Sequence, residues 1–165
     1  QWLYLPAMGD KMKRIAEGGR KNYFMGTDYT YEDLVSESRD KFEYLRLPDE
    51  TADGVAYYVV EARATDQTLK KETGYGARKL WVRKDNFFIA RTDYFDKRGK
   101  LIKRQTTDKI SQVDKTAWRA GLSRMENFDE KHITEIEVTE RDLTEAAVKP
   151  EIFRERHVTS GQHIR

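Results

Sequence analysis

Residues 77–101 read ARKLWVRKDNFFIARTDYFDKRGKL, and this stretch decides the fold. Two runs rich in β-branched and aromatic residues, Ala77 to Arg83 and Phe87 to Phe95, are joined by Lys84-Asp85-Asn86, a short polar link suited to a hairpin. Asp96-Lys97-Arg98-Gly99 then has the Asp start and Gly end of a type I turn with a bulge, and it leads into a third run from Leu101. Within the first run Leu80 and Val82 alternate with Lys79, Trp81 and Arg83, which is the period of two that a strand requires. The stretch therefore encodes consecutive antiparallel strands.

The same grammar extends in both directions. Downstream, Leu101 to Val113 and Thr116 to Glu126 meet at the tight link Val113-Asp114-Lys115, and His132 to Thr139 follows. Upstream lie Val55 to Ala64, Lys41 to Leu47, Lys11 to Ala16 and Trp2 to Leu5, with Pro48 to Gly54 expected as a polar loop ending in Asp-Gly. Nine strands exceed what one flat sheet holds without curling. The expected fold class is mainly β: a curved antiparallel sheet, or incomplete half β-barrel, with one or two short helices. Phe42, Tyr44 and Arg46 oppose Glu43, Leu45 and Leu47, so large residues fall on both faces, as in a sheet that cups a ligand or is covered on both sides.

Helical signals are few. Thr30 is a candidate cap for a short helix near Tyr31 to Ser36, with Asp33 three residues on. Pro150 to Arg156 starts with Pro and an acid and finishes with bases, matching the helix macrodipole. The polar segment 159–165 is expected to fray. With no internal repeat and no linker, residues 1–165 read as one domain.

Composition excludes several functions. The 31 basic and 29 acidic residues nearly balance, so no strong field exists to steer nucleic acid. The chain has no Cys, which removes disulfides, thiolate metal sites and a Cys nucleophile. His132, His157 and His163 lack the helical spacing of a zinc site, and no metal or other cofactor is expected. The apolar runs, such as Val55 to Val60, are far shorter than the ~20 residues of a membrane-spanning helix. Gln1 to Pro6 reads as a chain entered partway through a strand, either because a signal peptide and upstream strands were removed or because this is a fragment.

No constellation demands catalysis. The serines lack a nucleophile-elbow setting, and Gly74-Tyr75-Gly76 precedes a strand rather than opening a helix, so it reads as a bend at the entrance to the Ala77 strand. Asp28, Glu32 and Asp33 form the densest acidic group; they read as a helix cap with acids favourable to its dipole, and are the one carboxylate set worth testing as a catalytic pair. Arg78, Lys79, Arg83, Lys84, Lys97, Arg98, Lys100, Lys103 and Arg104 read as solvated bases that guard against edge-to-edge aggregation, and His132 as a solvent-facing or hairpin residue.

Longer segments carry a family resemblance. Trp2-Leu3-Tyr4-Leu5-Pro6, the basic strand Lys11 to Ile15, and Phe24-Met25-Gly26-Thr27-Asp28-Tyr29-Thr30-Tyr31-Glu32-Asp33-Leu34 resemble the W-x-Y-x-P and F-M-G-S/T-D-F/Y-S/T-Y-E-D-L segments of LolA-like outer-membrane lipoprotein-sorting proteins. Tyr58-Val59-Val60-Glu61, Gly74-Tyr75 with Leu80-Trp81-Val82, and Tyr94 to Leu101 follow in the same order. The resemblance implies a periplasmic protein of Gram-negative bacteria whose incomplete barrel carries lipid or lipoprotein acyl chains. Its partners would be an inner-membrane transporter or an outer-membrane acceptor. Family members carry further N-terminal strands; without them Trp2 to Leu5 is expected to be unpaired and available for homo-oligomer formation.

The expected function is thus a non-catalytic carrier with an apolar cavity. The candidate cavity residues are Trp2, Tyr4, Phe24, Met25, Tyr31, Leu34, Tyr44, Tyr58, Val60, Leu80, Val82 and Phe88, chosen for size and for their place in aromatic strands. Two other readings stand beside it: an interaction module that offers an edge strand to an envelope partner, and an enzyme using Asp28 with Glu32 or Asp33.

Overall fold

The computed structural model describes residues 2–5, 11–15, 17–35, 38–144 and 150–160. The chain forms two compact units, Gly18–Thr139 and the combination of Gln1–Glu17 with Glu140–Arg165.

In the smaller unit β1 (Trp2–Leu5) pairs antiparallel with β2 (Lys11–Arg14), with Trp2 opposite Arg14 and Leu5 opposite Lys11. This corrects the expectation that Trp2 to Leu5 stands unpaired: the two short strands satisfy each other's backbone groups, as extended backbone must. Ala16, expected to end β2, lies outside the described residues. A 3-10 turn at Pro150–Phe153 leads into α2 (Glu155–Thr159), so the C-terminal helical expectation is realised in two short pieces. Residues 161–165 of the expected frayed tail lie outside the described residues.

The larger unit is built on β3 (Phe42–Ala52), β4 (Val55–Ala64), β5 (Ala77–Arg83), β6 (Ile89–Phe95), β7 (Leu101–Asp108), β10 (Leu122–Asn127) and β11 (His132–Glu137). They form an open antiparallel sheet of seven strands in the order β11-β10-β7-β6-β5-β4-β3. Neighbours in sequence are neighbours in space throughout, except where β8 (Ser111–Gln112) and β9 (Trp118–Arg119) make a small separate hairpin between β7 and β10. The two long strands expected over Leu101 to Glu126 are therefore four. Positive φ at Lys109 and the close approach of Gly121 to Lys109 turn the chain out of the main ladder there.

Two more expectations are corrected, and one helix is added. Pro48 to Gly54 is not a loop: β3 runs on to Ala52, and Asp53-Gly54, both at positive φ, forms the two-residue turn favoured in hairpins. Pro48 is tolerated because β3 is an edge strand and the register shifts between Leu47 and Glu50. Residues 31–35 form a turn rather than a helix, Ser36 lying outside the described residues. A helix that the sequence reading missed, α1 (Gln67–Glu72), is capped by the Asp66 carboxylate on the Leu69 N–H at 2.7 Å. The Asp96–Gly99 turn is as expected, with Gly99 at positive φ and the Asp96 carboxylate accepting from the Arg98 and Lys100 backbone.

Register assigns the faces, since directly opposed residues share one. Tyr44, Tyr58, Val60, Ala62, Arg78, Leu80, Val82, Thr92, Tyr94, Lys103, Gln105, Met125 and Asn127 share the face that positions the site. The opposite face carries Val59, Trp81, Arg91, Asp93 and Arg104 and is laced with charge. Arg91 and Arg104 each grip the buried Asp93 carboxylate through two hydrogen bonds of 2.6 to 2.9 Å. Trp81 is only 6% exposed there because Lys79 and Arg91 lie over its ring and its indole N–H donates to Glu50 at 2.7 Å.

Gly76 packs directly on the Asp96 carbonyl, and an added Cβ would also lie 2.9 Å from the Lys97 Cα. Backbone cannot give way there as a side chain would. Gly76→Ala is expected to destabilise the protein by about 2 kcal/mol in urea unfolding. Gly18→Ala, with nothing within 4 Å of its added Cβ, should stay within about 0.5 kcal/mol of wild type.

Candidate functional site

Residues 20–33 form a strap on the first face of the sheet. The strap is closed on itself: Tyr23 and Thr30 make a β-bridge, the Phe24 N–H donates to the Tyr29 carbonyl at 2.7 Å, and the Glu32 N–H donates to the Arg20 carbonyl at 2.9 Å. Met25 and Gly26 turn the chain at positive φ, and the Thr27 hydroxyl donates to the Phe24 carbonyl at 2.6 Å. These local bonds explain why no helix forms: the Asp33 carboxylate turns back on the Thr30 N–H at 2.8 Å, and its remaining capacity is taken by the sheet.

Three carboxylates dock the strap, each on a different partner set. Asp33, its side chain fully buried, accepts from Lys103 Nζ at 2.9 Å and from the Tyr75 hydroxyl at 2.9 and 3.0 Å. Lys103 Nζ also donates to the Asp28 carbonyl at 3.1 Å and lies 5.0 to 5.6 Å from the ring centres of Tyr23, Tyr75 and Tyr94. Asp28 accepts from Thr134 and pairs with His132 Nδ1, both at 2.7 Å. Glu32 accepts from the Thr73 hydroxyl at 2.8 Å and the Gly74 N–H at 2.9 Å, with Arg78 at 3.6 Å. Tyr29 packs with Tyr75, Tyr94 and Met125 and reaches the Ser123 hydroxyl at 2.8 Å.

Burial pushes the Asp28 carboxyl up, but the hydrogen bonds from Thr134 and His132 outweigh it and hold the group below its ordinary range. Burial, reinforced by the neighbouring Asp33 charge, pushes the Tyr75 phenol well up, so it stays a hydrogen-bond donor.

The bonds of the strap go to β7, β10, β11, the approach to β5 and its Arg78. The β3–β5 part of the same face differs in chemistry. Here Tyr44, Tyr58, Val60, Leu80 and Val82 are contiguous, with Val60 opposite Leu80 and Tyr58 opposite Val82. These five of the expected cavity residues are brought together. Phe88 lies at the end of the adjoining hairpin, where its carbonyl accepts from the Arg83 N–H. Phe24, Met25, Tyr31 and Leu34 belong to the strap region: Phe24 and Tyr31 pack edge-to-face at 5.6 Å, while Met25 and Leu34 are largely exposed. Trp2 and Tyr4 belong to the smaller unit.

Two readings made from the sequence are corrected. Lys103 is not a solvated base but is 2% exposed. The acids at 28, 32 and 33 cap no helix. The legible signal was a dense acidic cluster among aromatics, which demands a buried cation once it folds against a sheet. His132 has an exposed ring, yet its Nδ1 is committed to Asp28. Beside this pair lies an open cleft lined by Tyr23, Thr27, Asn127 and Glu130. No group of three or more metal-ligating side chains occurs among the described residues.

A family model described as that of an uncharacterized protein matches residues 1–160. Among solved structures, the chain is similar to a domain provisionally described as an outer membrane lipoprotein-sorting protein from Vibrio parahaemolyticus, with a TM-score of 0.85 and 29% identity over 96% of this chain and 65% of that one. It is also similar to a DUF1329 family protein from Desulfovibrio piger, with a TM-score of 0.82 and 28% identity over 95% of this chain and 63% of that one. A LolA superfamily protein from Nitrosomonas europaea shares the fold, with a TM-score of 0.62 and 17% identity over 92% of this chain and 67% of that one. The chain thus spans less than two thirds of the length of the first two. No curated protein matches it.

Lys103→Met should cost about 3–5 kcal/mol by leaving Asp33 buried without its cation, and adding Asp33→Asn should recover a large part of that in urea unfolding. Asp28 gives a pH-dependent test. Its lowered pKa means that its contribution is full above the ordinary carboxylate range of about 4 and is lost as pH falls through its folded value. Asp28→Asn should therefore be less stable than wild type at pH 7, with the gap between their urea midpoints narrowing as pH falls below the ordinary carboxylate range.

Proposed function

We propose that the chain, which belongs to the family whose model matches residues 1–160 and is similar in fold to a lipoprotein-sorting domain, is a LolA-like non-catalytic carrier that holds the acyl chain of a lipid or lipoprotein against the apolar β3–β5 part of its sheet. The observation that carries this reading is the division of one sheet face into a part committed to the strap and a part lined by Tyr58, Val60, Leu80 and Val82. Apolar contact supplies most of the affinity: each buried methylene contributes ~0.8 kcal/mol, so ten contribute roughly 8 before ordering costs. A periplasmic location, and exchange with an inner-membrane transporter or outer-membrane acceptor, follow from the same reading.

The acids support a carrier over an enzyme. A carboxylate pair needs two groups facing one cleft, whereas Asp28, Glu32 and Asp33 diverge to His132 and Thr134, to Thr73 and Gly74, and to Lys103 and Tyr75. Each is occupied by a structural bond.

A second reading, an interaction module, is favoured by β11. It is an outer strand of the sheet whose Ile133 and Ile136 are 42% and 43% exposed. Such an edge is suited to strand addition by a partner.

Native mass spectrometry of gently purified protein, with extraction of whatever is bound, separates the two. The carrier reading expects a lipid in near-stoichiometric amount, lost on Leu80→Glu and retained on Asp28→Asn. A protein that is empty and also fails to take up a fluorescent fatty acid would leave the interaction module as the better account.

A further inference from the structure

The apolar strip ends in an unbalanced charge. Arg46 lies opposite Val60, and Lys84 follows β5 directly, its N–H donating to the Ala56 carbonyl at 3.0 Å. Both cations lie over one ring, the Arg46 guanidinium 4.8 Å and Lys84 Nζ 5.0 Å from the centre of Tyr58. Phe87, 70% exposed, stacks on that ring at 6.1 Å. Both cations also pair with one carboxylate, that of Asp49.

Other carboxylates nearby are committed elsewhere, Glu50 to Lys79 and Trp81, and Asp85 to Arg83. Two positive charges thus share one negative charge, at side chains 45% and 35% exposed, beside Val82 and Tyr58. From Tyr58 to Ala62 the strip runs four residues along β4, roughly 13 Å at strand spacing. Its far end meets Arg78, which lies opposite Ala62 and is already directed at Glu32 and at the Tyr75 and Tyr94 rings. Excess positive charge is therefore placed at one end of the strip.

We propose that the carried molecule is an anionic amphiphile, its charged head over Tyr58 between Arg46 and Lys84 and its alkyl chain along Val82, Leu80 and Val60. This rests on the carrier reading and adds the charge and direction of the ligand. The anion takes the place of Asp49 as partner of at least one cation, and the Tyr58 ring with the exposed Phe87 forms the boundary between head and chain.

The test titrates the full chain with dodecyl phosphate, with dodecyl maltoside as a neutral analogue, with dodecyltrimethylammonium and with inorganic phosphate. Dodecyl phosphate should bind about fivefold tighter than the neutral probe, the size expected of one partly exposed ion pair, and the cation should bind weakest. The double variant Arg46→Gln, Lys84→Gln should erase that preference while leaving dodecyl maltoside affinity unchanged, and Asp49→Asn should enlarge it. Inorganic phosphate that binds as tightly as dodecyl phosphate would assign the cations to a free anion and overturn the proposal. Equal binding of all three dodecyl probes would overturn it while the carrier reading stands. Uptake of none would overturn both.

Discussion

The larger unit is organised around one buried ion pair. Lys103 and Asp33 meet with side chains 3% and 0% exposed, in a setting where either charge alone would be severely penalised. Excellent geometry makes the pair tolerable: Asp33 is also bonded by the Tyr75 hydroxyl and the Thr30 N–H, and Lys103 by the Asp28 carbonyl and three aromatic faces. Such a pair sets register more than it adds stability. It specifies where the strap sits on the sheet, and Asp28 and Glu32 then find partners on either side of it.

That placement gives the sheet face its functional asymmetry. The strap commits β6, β7, β10 and β11 to a polar network built from Tyr29, Tyr94, Gln105, Ser123 and Thr134. Hydrocarbon gains nothing from such a surface, whose donors and acceptors are already matched. The β3–β5 part presents Val60, Leu80 and Val82, whose contacts are unspecific and additive. The opposite face, meanwhile, carries ion pairs around Asp93 and the arms of Lys79 and Arg91 over Trp81.

Similarity to the lipoprotein-sorting domain and to the LolA superfamily protein fits this division, although the sequence identities of 29% and 17% mean that side-chain chemistry is particular to each chain. The fold is what the chain shares with them, at TM-scores of 0.85 and 0.62. In this chain Arg46, Lys84 and Asp49 gather around Tyr58.

The period of two in Leu80 and Val82, the Asp-Gly and Asp-x-x-Gly turns, and the order of the strands are local properties, and the sequence by itself determined them: β4 and β5 span the residues expected, and the sheet is an antiparallel meander. The continuation of β3 past Pro48 was illegible because it depends on β4 being alongside to accept a bulge. The turn at Tyr31 was misread as a helix because its local cap signals compete with partners 42 and 70 residues away, Tyr75 and Lys103. The sequence also marked Asp28, Glu32 and Asp33 as a cluster, but not what it was for. Only the tertiary structure decided that, because the pairing of a carboxylate with a lysine depends on which face each strand turns to the strap, and long-range register is written in no single segment.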